Sequence, residues 1–486
     1  MKNSFMRITA LVLAMLVCLS GIACGDSQPT DKDTDTVTQD TTPEETTSKW
    51  LDSLPDKDME GAEFNILTAA EQWQYFYNAE ETGDIVNDAV YTRNRTVEER
   101  FNCKINYRIY NGYMGGMSDV KSAITGSVMG GAMDFDLMVG SVAYVFPLIA
   151  DGLFTDMAGC EHLSLDSPWW FSKINDEFRI NDHLFLGASA YGTLNTAWSV
   201  VTYFNKNVAE DYEINDLYDL VLQNKWTFDK MNEYAVKVTH DANGDNVIDD
   251  KDVVGIASTD DYISWLSISM GYKFTTKDDG RIVFNGVDER LAKINNDIIM
   301  LMTGDQYFGV TGDDNYYSKL CSIVSNNNCL FAIHRLELAG GDILRSFGNF
   351  GVIPTPLYDE NQTEYITPTV AEVSGIPLVV KDTDSSAFLL EALSSESYRT
   401  VLPVYFEKAL KVKYVSDDES VKMLDIINSG KQCDITYGFY FKLADSYPMF
   451  KVGRSDDIVS IFAKNLNKWQ GVIDKFQNEA AKNANT

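Results

Sequence analysis

Residues 63–110 read EFNILTAAEQWQYFYNAEETGDIVNDAVYTRNRTVEERFNCKINYRIY, and the succession of apolar periods in this stretch decides the fold class. Glu63–Thr68 is a short apolar run of strand type. Ile85–Phe101 then places Val86, Val90, Val97 and Phe101 on one face at helical spacing, and Lys104–Tyr110 returns to a period of two with Ile105, Tyr107 and Ile109 directed inward. Helix signals over Ser118–Val128 and a strand over Phe135–Gly140 continue the alternation. Strands separated by helices pair in parallel, with the helices covering both faces. The expected class is therefore α/β, with two lobes, each an open, mainly parallel sheet flanked by helices. Ligands of such sheets sit beyond the carboxyl ends of the strands, which nominates the loops Ala69–Gly83 and Ser141–Pro147.

Two lobes also follow from size. A chain of 486 residues, 45% hydrophobic and 12% aromatic, has ample core material and exceeds what one core serves. The expected division runs from a signal peptide over 1–23 to a tether over 24–50, then a first lobe over 51–190. A second lobe occupies 191–350, a return crossing with the rest of lobe 1 occupies 351–412, and a helical part over 413–486 belongs mainly to lobe 2. Gly187 and Gly192 would allow a hinge where the chain leaves the first lobe, and Phe350–Pro356 reads as the return.

The N-terminus has the order of an export signal: Lys2 and Arg7, the apolar run Ile8–Leu19, then small residues up to Cys24. Gly21-Ile22-Ala23-Cys24 resembles a bacterial lipobox, with Gly21 where leucine is usual, so Cys24 is the candidate lipidation site. Ordinary secretion with Cys24 removed is the plain alternative. The Thr/Asp/Glu-rich segment Gly25–Lys49 has no apolar periodicity and suits a tether. A net charge of -32 disfavours nucleic acid and anionic lipid as partners. Beyond Cys18 and Cys24 the cysteines are Cys103, Cys160, Cys321, Cys329 and Cys433, too sparse for a disulfide framework.

A second stretch, Lys225–Gly255, joins a helix to a candidate cation loop. Thr227 is placed to cap a helix carrying Phe228, Met231, Tyr234, Ala235 and Val238. Beyond it, Asp241, Asn243, Asp245, Val247, Asp249 and Asp252 fall at EF-hand ligand spacing, Val247 by its carbonyl. Asn246 replaces the usual turn glycine and Asp252 the usual glutamate, so the loop is closer to a dockerin-type hand. One structural Ca2+ is the expectation, and a polar turn that binds nothing is the alternative. No organic cofactor is implied.

Signals for chemistry are sparse. His162, His183, His240 and His334 are not at zinc-site spacing, and no G-x-S-x-G elbow, P-loop or dinucleotide fingerprint occurs. With 72 Asp and Glu, any proposed glycosidase pair is uninformative. The chain therefore reads as a non-enzyme. Aromatic residues, in contrast, fall at the loops named above: Trp73 and Tyr75, Tyr144, Tyr191 at the suspected hinge, and Tyr262 with Trp265. A pyranose packs its C–H face on such rings while its hydroxyls take carboxylates at the rim, for which Asp260 and Asp261 are the candidates. Trp169, Trp170 and Trp226 are assigned to core.

Glu81–Tyr91 with Arg93-Asn94 and Val97–Phe101, the Pro168-Trp-Trp170 element, Tyr203–Lys206, Trp226-Thr227, the Asn243-Gly-Asp245 loop and Phe350–Pro354 resemble bacterial extracellular solute-binding lipoproteins of carbohydrate ABC importers. The likeness is to the family 1 type, with its periplasmic-binding-protein architecture, and covers nearly the whole mature chain. It implies a monomeric, non-enzymatic receptor, lipid-anchored on the outer face of the cytoplasmic membrane. Such a receptor holds a mono- or oligosaccharide between two lobes and delivers it to ABC transporter permease subunits. Asp260–Trp265 looks like the aromatic platform of maltose-type members, and Tyr437–Tyr440 falls where a C-terminal aromatic reaches the cleft. No segment matches a particular sugar's pocket. A surface-attached carbohydrate-active hydrolase and an adhesion lipoprotein without transport remain the alternatives.

Overall fold

The first strand, β1 (Ala62–Ala69), lies in the middle of a four-stranded sheet of order β12-β3-β1-β2, parallel to both β2 (Cys103–Tyr110) and β3 (Leu137–Ser141). The connecting helices have the ends their sequences require. α1 (Ile85–Phe101) is capped by Asp84, whose carboxylate accepts from the Val86 and Asn87 N–H groups, and stops at Asn102 in the left-handed region. α2 (Ser118–Gly130) buries Val120, Ile124 and Val128. β12 (Glu372–Gly375) closes the sheet antiparallel to β3. A computed structural model describes residues 50–70, 75–111, 118–311, 315–380, 382–410 and 418–484.

A second sheet has order β10-β4-β9-β5-β8. Its parallel part is β9 (Cys329–Arg335), β5 (Val254–Ser258) and β8 (Tyr307–Gly309); β4 (Val200–Asn205) runs antiparallel to β9, and β10 (Phe350–Pro354), antiparallel to β4, runs in the same direction as β9. Each sheet is thus mainly parallel with one reversed strand, β12 in the first and β4 in the second. The antiparallel pairings come from segments that carry the chain out of one sheet and back into the other, which must reverse direction. Thr367–Pro368 (β11) and Lys431–Gln432 (β13) form a short parallel ladder of their own.

Several sequence expectations change in detail. Ile109 is 43% exposed, because it stands near the end of β2, the edge strand of the sheet. Gly192 serves close packing: a Cβ there would stand 2.4 Å from the Glu372 carboxylate. The last helix, Ile458–Ala484, packs on both lobes. Phe476 meets Phe146, which follows β3, at 5.0 Å, and Trp469 meets Phe284 of the second lobe at 5.5 Å. Trp169 and Trp170 are core residues whose indole N–H groups both donate to the buried Glu391, and Trp226 donates to the Pro354 carbonyl. Among the described residues all five cysteines are free, and no helix is long and apolar enough to cross a membrane.

Candidate functional site

β9 is buried along its whole length, and its carboxyl end delivers His334 and Arg335 to the place where the two sheets' loops meet. Arg335 is only 6% exposed. Its Cζ lies 4.1 Å from the Trp198 ring centroid and 5.0 Å from that of Tyr317, within cation–π range of both. One Nη bonds Glu337 at 2.8 Å and also the Tyr317 hydroxyl, while Nε has no partner among the described residues. His334 packs its ring 3.9 Å from Tyr262 and 5.0 Å from Tyr317. Burial pushes its pKa down to about 3, so it is a neutral ring at physiological pH.

The first lobe contributes Tyr75, half-buried after β1. Burial raises its hydroxyl to about 12, assisted by the Glu337 and Glu372 carboxylates and opposed by Arg335. Tyr405, on the helix Leu402–Leu410, is raised by burial and then by Glu337 and Tyr75, which places it in the same electrostatic neighbourhood. Glu372, on β12, is 1% exposed; Oε2 accepts from the Leu194 N–H at 3.1 Å and Oε1 has no partner among the described residues. Burial raises its pKa well above the carboxylate range, which favours the neutral acid, a form that can donate as well as accept.

Tyr437 continues the aromatic surface. Its hydroxyl is raised by burial and senses Tyr262, Tyr440 and Tyr144, and its ring centroid is 5.9 Å from that of Trp265. Tyr144 in turn stacks on Phe441 at 4.6 Å. Tyr75, Tyr144, Tyr262, Trp265 and Tyr437 therefore lie in one region, although Trp265 is 7% exposed and presents little more than an edge. Trp73 lies outside the described residues.

Three nominations are corrected. Tyr191 is fully buried: its hydroxyl bonds Tyr107 at 2.6 Å and its ring lies against Phe76 and Arg93, so it belongs to the first lobe's core. Asp260 and Asp261 are not free rim acceptors, because both pair with Arg454 at 2.6 and 3.0 Å, and Asp260 also accepts from Tyr307. They clip the loop before the last helix to the end of β5. The residues that take the polar role were missed. Arg335 and Glu337 follow an apolar strand as H-R-x-E, a change from wholly apolar to charged at a strand's carboxyl end that would have marked them. Trp198 stands just before β4, and Glu372 sits inside a buried strand with no local signal.

In the Asp241–Asp252 loop, Asp241 accepts from the Gly244 and Asn246 amides at 2.6 and 2.7 Å, and Asp245 from Val247 at 2.9 Å. Asp252, fully buried, accepts from Ala242 and Asp249 at 3.0 and 2.8 Å, and Asn246 takes the left-handed backbone the turn needs, with φ 64°. The oxygens face loop amides, and among the described residues no three His, Cys, Asp or Glu side chains are gathered as metal donors.

The fold is shared with solved sugar-binding proteins. The GacH receptor of Streptomyces glaucescens, solved unliganded and with acarbose, matches with a TM-score of 0.55 and 12% identity over 85% of this chain and 99% of its own. The galacto-N-biose/lacto-N-biose I-binding protein of a Bifidobacterium longum ABC transporter matches at 0.55 and 12%, over 86% and 99%. A sugar transporter protein from Rhizobium etli in an open conformation matches at 0.54 and 11%, over 88% and 100%. No family model and no curated protein sequence matches the chain.

Proposed function

We propose that this protein is an extracytoplasmic carbohydrate receptor that captures a mono- or oligosaccharide between its lobes and hands it to the permease of an ABC transporter. The observation that carries this reading is the gathering of Trp198, Tyr262, Tyr317 and Tyr75 around the partly unpartnered Arg335 and Glu372 at the strand ends of both sheets. Rings supply stacking faces for pyranose C–H groups, and the two buried polar side chains supply a donor and a donor–acceptor for hydroxyls. Sharing its fold with sugar-binding proteins of ABC transporters supports the same reading. Contacts from both lobes exist together only when they are close, so ligand shifts the population toward a closed form.

A thermal-shift and calorimetric screen over mono- and oligosaccharides tests this. The sugar that raises the melting temperature should bind Trp198→Ala and Tyr262→Ala more weakly by about 1–3 kcal/mol, roughly five- to 150-fold in Kd. A protein that no saccharide stabilises is not this receptor. Within the same reading the protein is anchored by a lipid on Cys24, which mass spectrometry of the mature N-terminus checks. A structural calcium in the Asp241–Asp252 loop is a further part of it. Hard oxygen donors at that spacing suit the ion, and Asp241, Asn243, Asp245, Asp249, Asp252 and the Val247 carbonyl would hold it once their oxygens turn from the loop amides. Calcium at about a hundred times Kd should then add roughly 2.7 kcal/mol of stability, removed by chelator and by Asp245→Ala. An unchanged melt leaves the loop as a turn.

A further inference from the structure

A cavity of about 610 Å³ lies on the far side of the Tyr144–Phe441 stack, between the start of α2, the segment after β3 and the last helix. Its walls are largely apolar, but three lysines from three different elements converge on it: Lys121, Lys442 and Lys475. Two carboxylates line it as well: Asp151, which pairs with Lys121 at 3.0 Å, and Glu479, which pairs with Lys482 at 2.9 Å. Lys442 and Lys475, solvent-exposed at the cavity rim like Lys121, form no hydrogen bond or ion pair with another of the described residues. In a chain of net charge -32 such a gathering runs against the general field. Partial desolvation at the rim, with the charges of Lys121 and Lys475 acting against the pull of Asp151, also holds the Lys442 ammonium below the ordinary lysine range. An anion between them would relieve that repulsion. The cavity shares Tyr144 with the candidate cleft, through Tyr437 and Trp265, and Phe441 is 37% exposed.

We infer that this cavity is an end subsite of the same cleft, and that it takes the anionic terminus, carboxylate or sulfate, of an acidic oligosaccharide. The inference rests on the carbohydrate-receptor reading. Phe441 and Tyr144 offer the terminal ring an apolar face, and the lysine ammoniums take its charge as point-like donors that do not demand one planar anion geometry.

The test is a calorimetric panel in which each oligosaccharide backbone is present as a neutral form, with a terminal uronate, and with a terminal sulfate. At least one backbone should bind about tenfold tighter in an acidic form, and the preference should shrink as salt rises. Comparing the uronate with the sulfate arm tells which anion is preferred. Lys442→Gln/Lys475→Gln should abolish the preference and leave the neutral Kd unchanged, and Lys442→Arg/Lys475→Arg, which keeps the charge, should restore it. Neutral and acidic forms binding alike, or a preference that survives the glutamine variant, overturns the subsite while leaving the receptor reading intact. Failure of every form of every backbone to bind removes the receptor reading itself.

Discussion

Arg93 and Arg335 are both buried guanidinium groups set over aromatic rings, yet their surroundings differ in completeness. Arg93 is 1% exposed, with Cζ 4.7 Å from the Tyr191 centroid. It donates to the Tyr191 carbonyl and Ser397 hydroxyl at 2.9 Å each, to Asn94 from both Nε and Nη, and to the Phe76 carbonyl. Arg335 stacks at least as closely, between Trp198 and Tyr317, but its Nε is left without a protein partner. A buried donor is retained at a cost unless something satisfies it, so the fully bonded arginine is part of the fold and the incompletely bonded one is suited to a ligand.

The contrast predicts where each substitution is felt. Arg93→Ala strands two backbone carbonyls, an amide and a hydroxyl in the core, and should destabilise the protein by about 3–5 kcal/mol in urea titration. A loss below about 1 kcal/mol would break the comparison on its structural side. Arg335→Ala should weaken sugar binding by about 2–3 kcal/mol, roughly thirty- to 150-fold, while the unliganded melt moves little. Lysine at 335 should not restore affinity, because it lacks the planar fork that stacks between two rings. The opposite split, with a damaged melt and intact binding, would make Arg335 a second Arg93.

A third buried cation sharpens the comparison, because lysine, unlike arginine, can shed its proton. Lys431 is 2% exposed, donates to Thr196 Oγ1 at 2.7 Å and lies 4.6 Å from the Phe171 centroid, and burial lowers its pKa to about 7. The unfolded chain keeps the ordinary value of 10.5, so between about 7 and 10.5 it binds the extra proton and stability rises with pH. Below that window both states are charged and the dependence ends. The slope, at most on the order of 1 kcal/mol per pH unit, should vanish in Lys431→Met, whose denaturation midpoints can be followed across the range.

Much of this architecture was legible because it rests on local periodicity. The strand at 63–68, the helix at 85–101 and the Thr227 cap all have patterns that a half-buried element must show, and the structure has Thr227 accepting from the Lys230 N–H at 3.2 Å. The candidate site was legible only where aromatics stand just after strands, as at Tyr75 and, on short helices, at Tyr144 and Tyr262. Tyr191 shared that appearance, and what separates it is a long-range bond to Tyr107, which no local window contains. Arg335 failed for the converse reason. A strand buried on both faces has no alternation to say which of its residues faces another lobe, and the change from apolar to charged at its end was the one local signal it carried. Asp260 and Asp261 were misread because their partner, Arg454, lies almost two hundred residues away in the chain.

The pairing of β4 with β9 sets Val200 opposite Arg335. Trp198 stands two residues before that rung, so the spacing between indole and guanidinium is governed by a ladder of main-chain bonds instead of by loop length. Under the proposed receptor reading, side chains at 198, 335 and 337 could therefore be exchanged to change the ligand as if replacing the jaws of a caliper whose scale stays put. Loop grafting at the same mouth would leave that gauge untouched. A shift of register by one residue, in contrast, would turn the side chains of one strand to the opposite face and part Trp198 from Arg335.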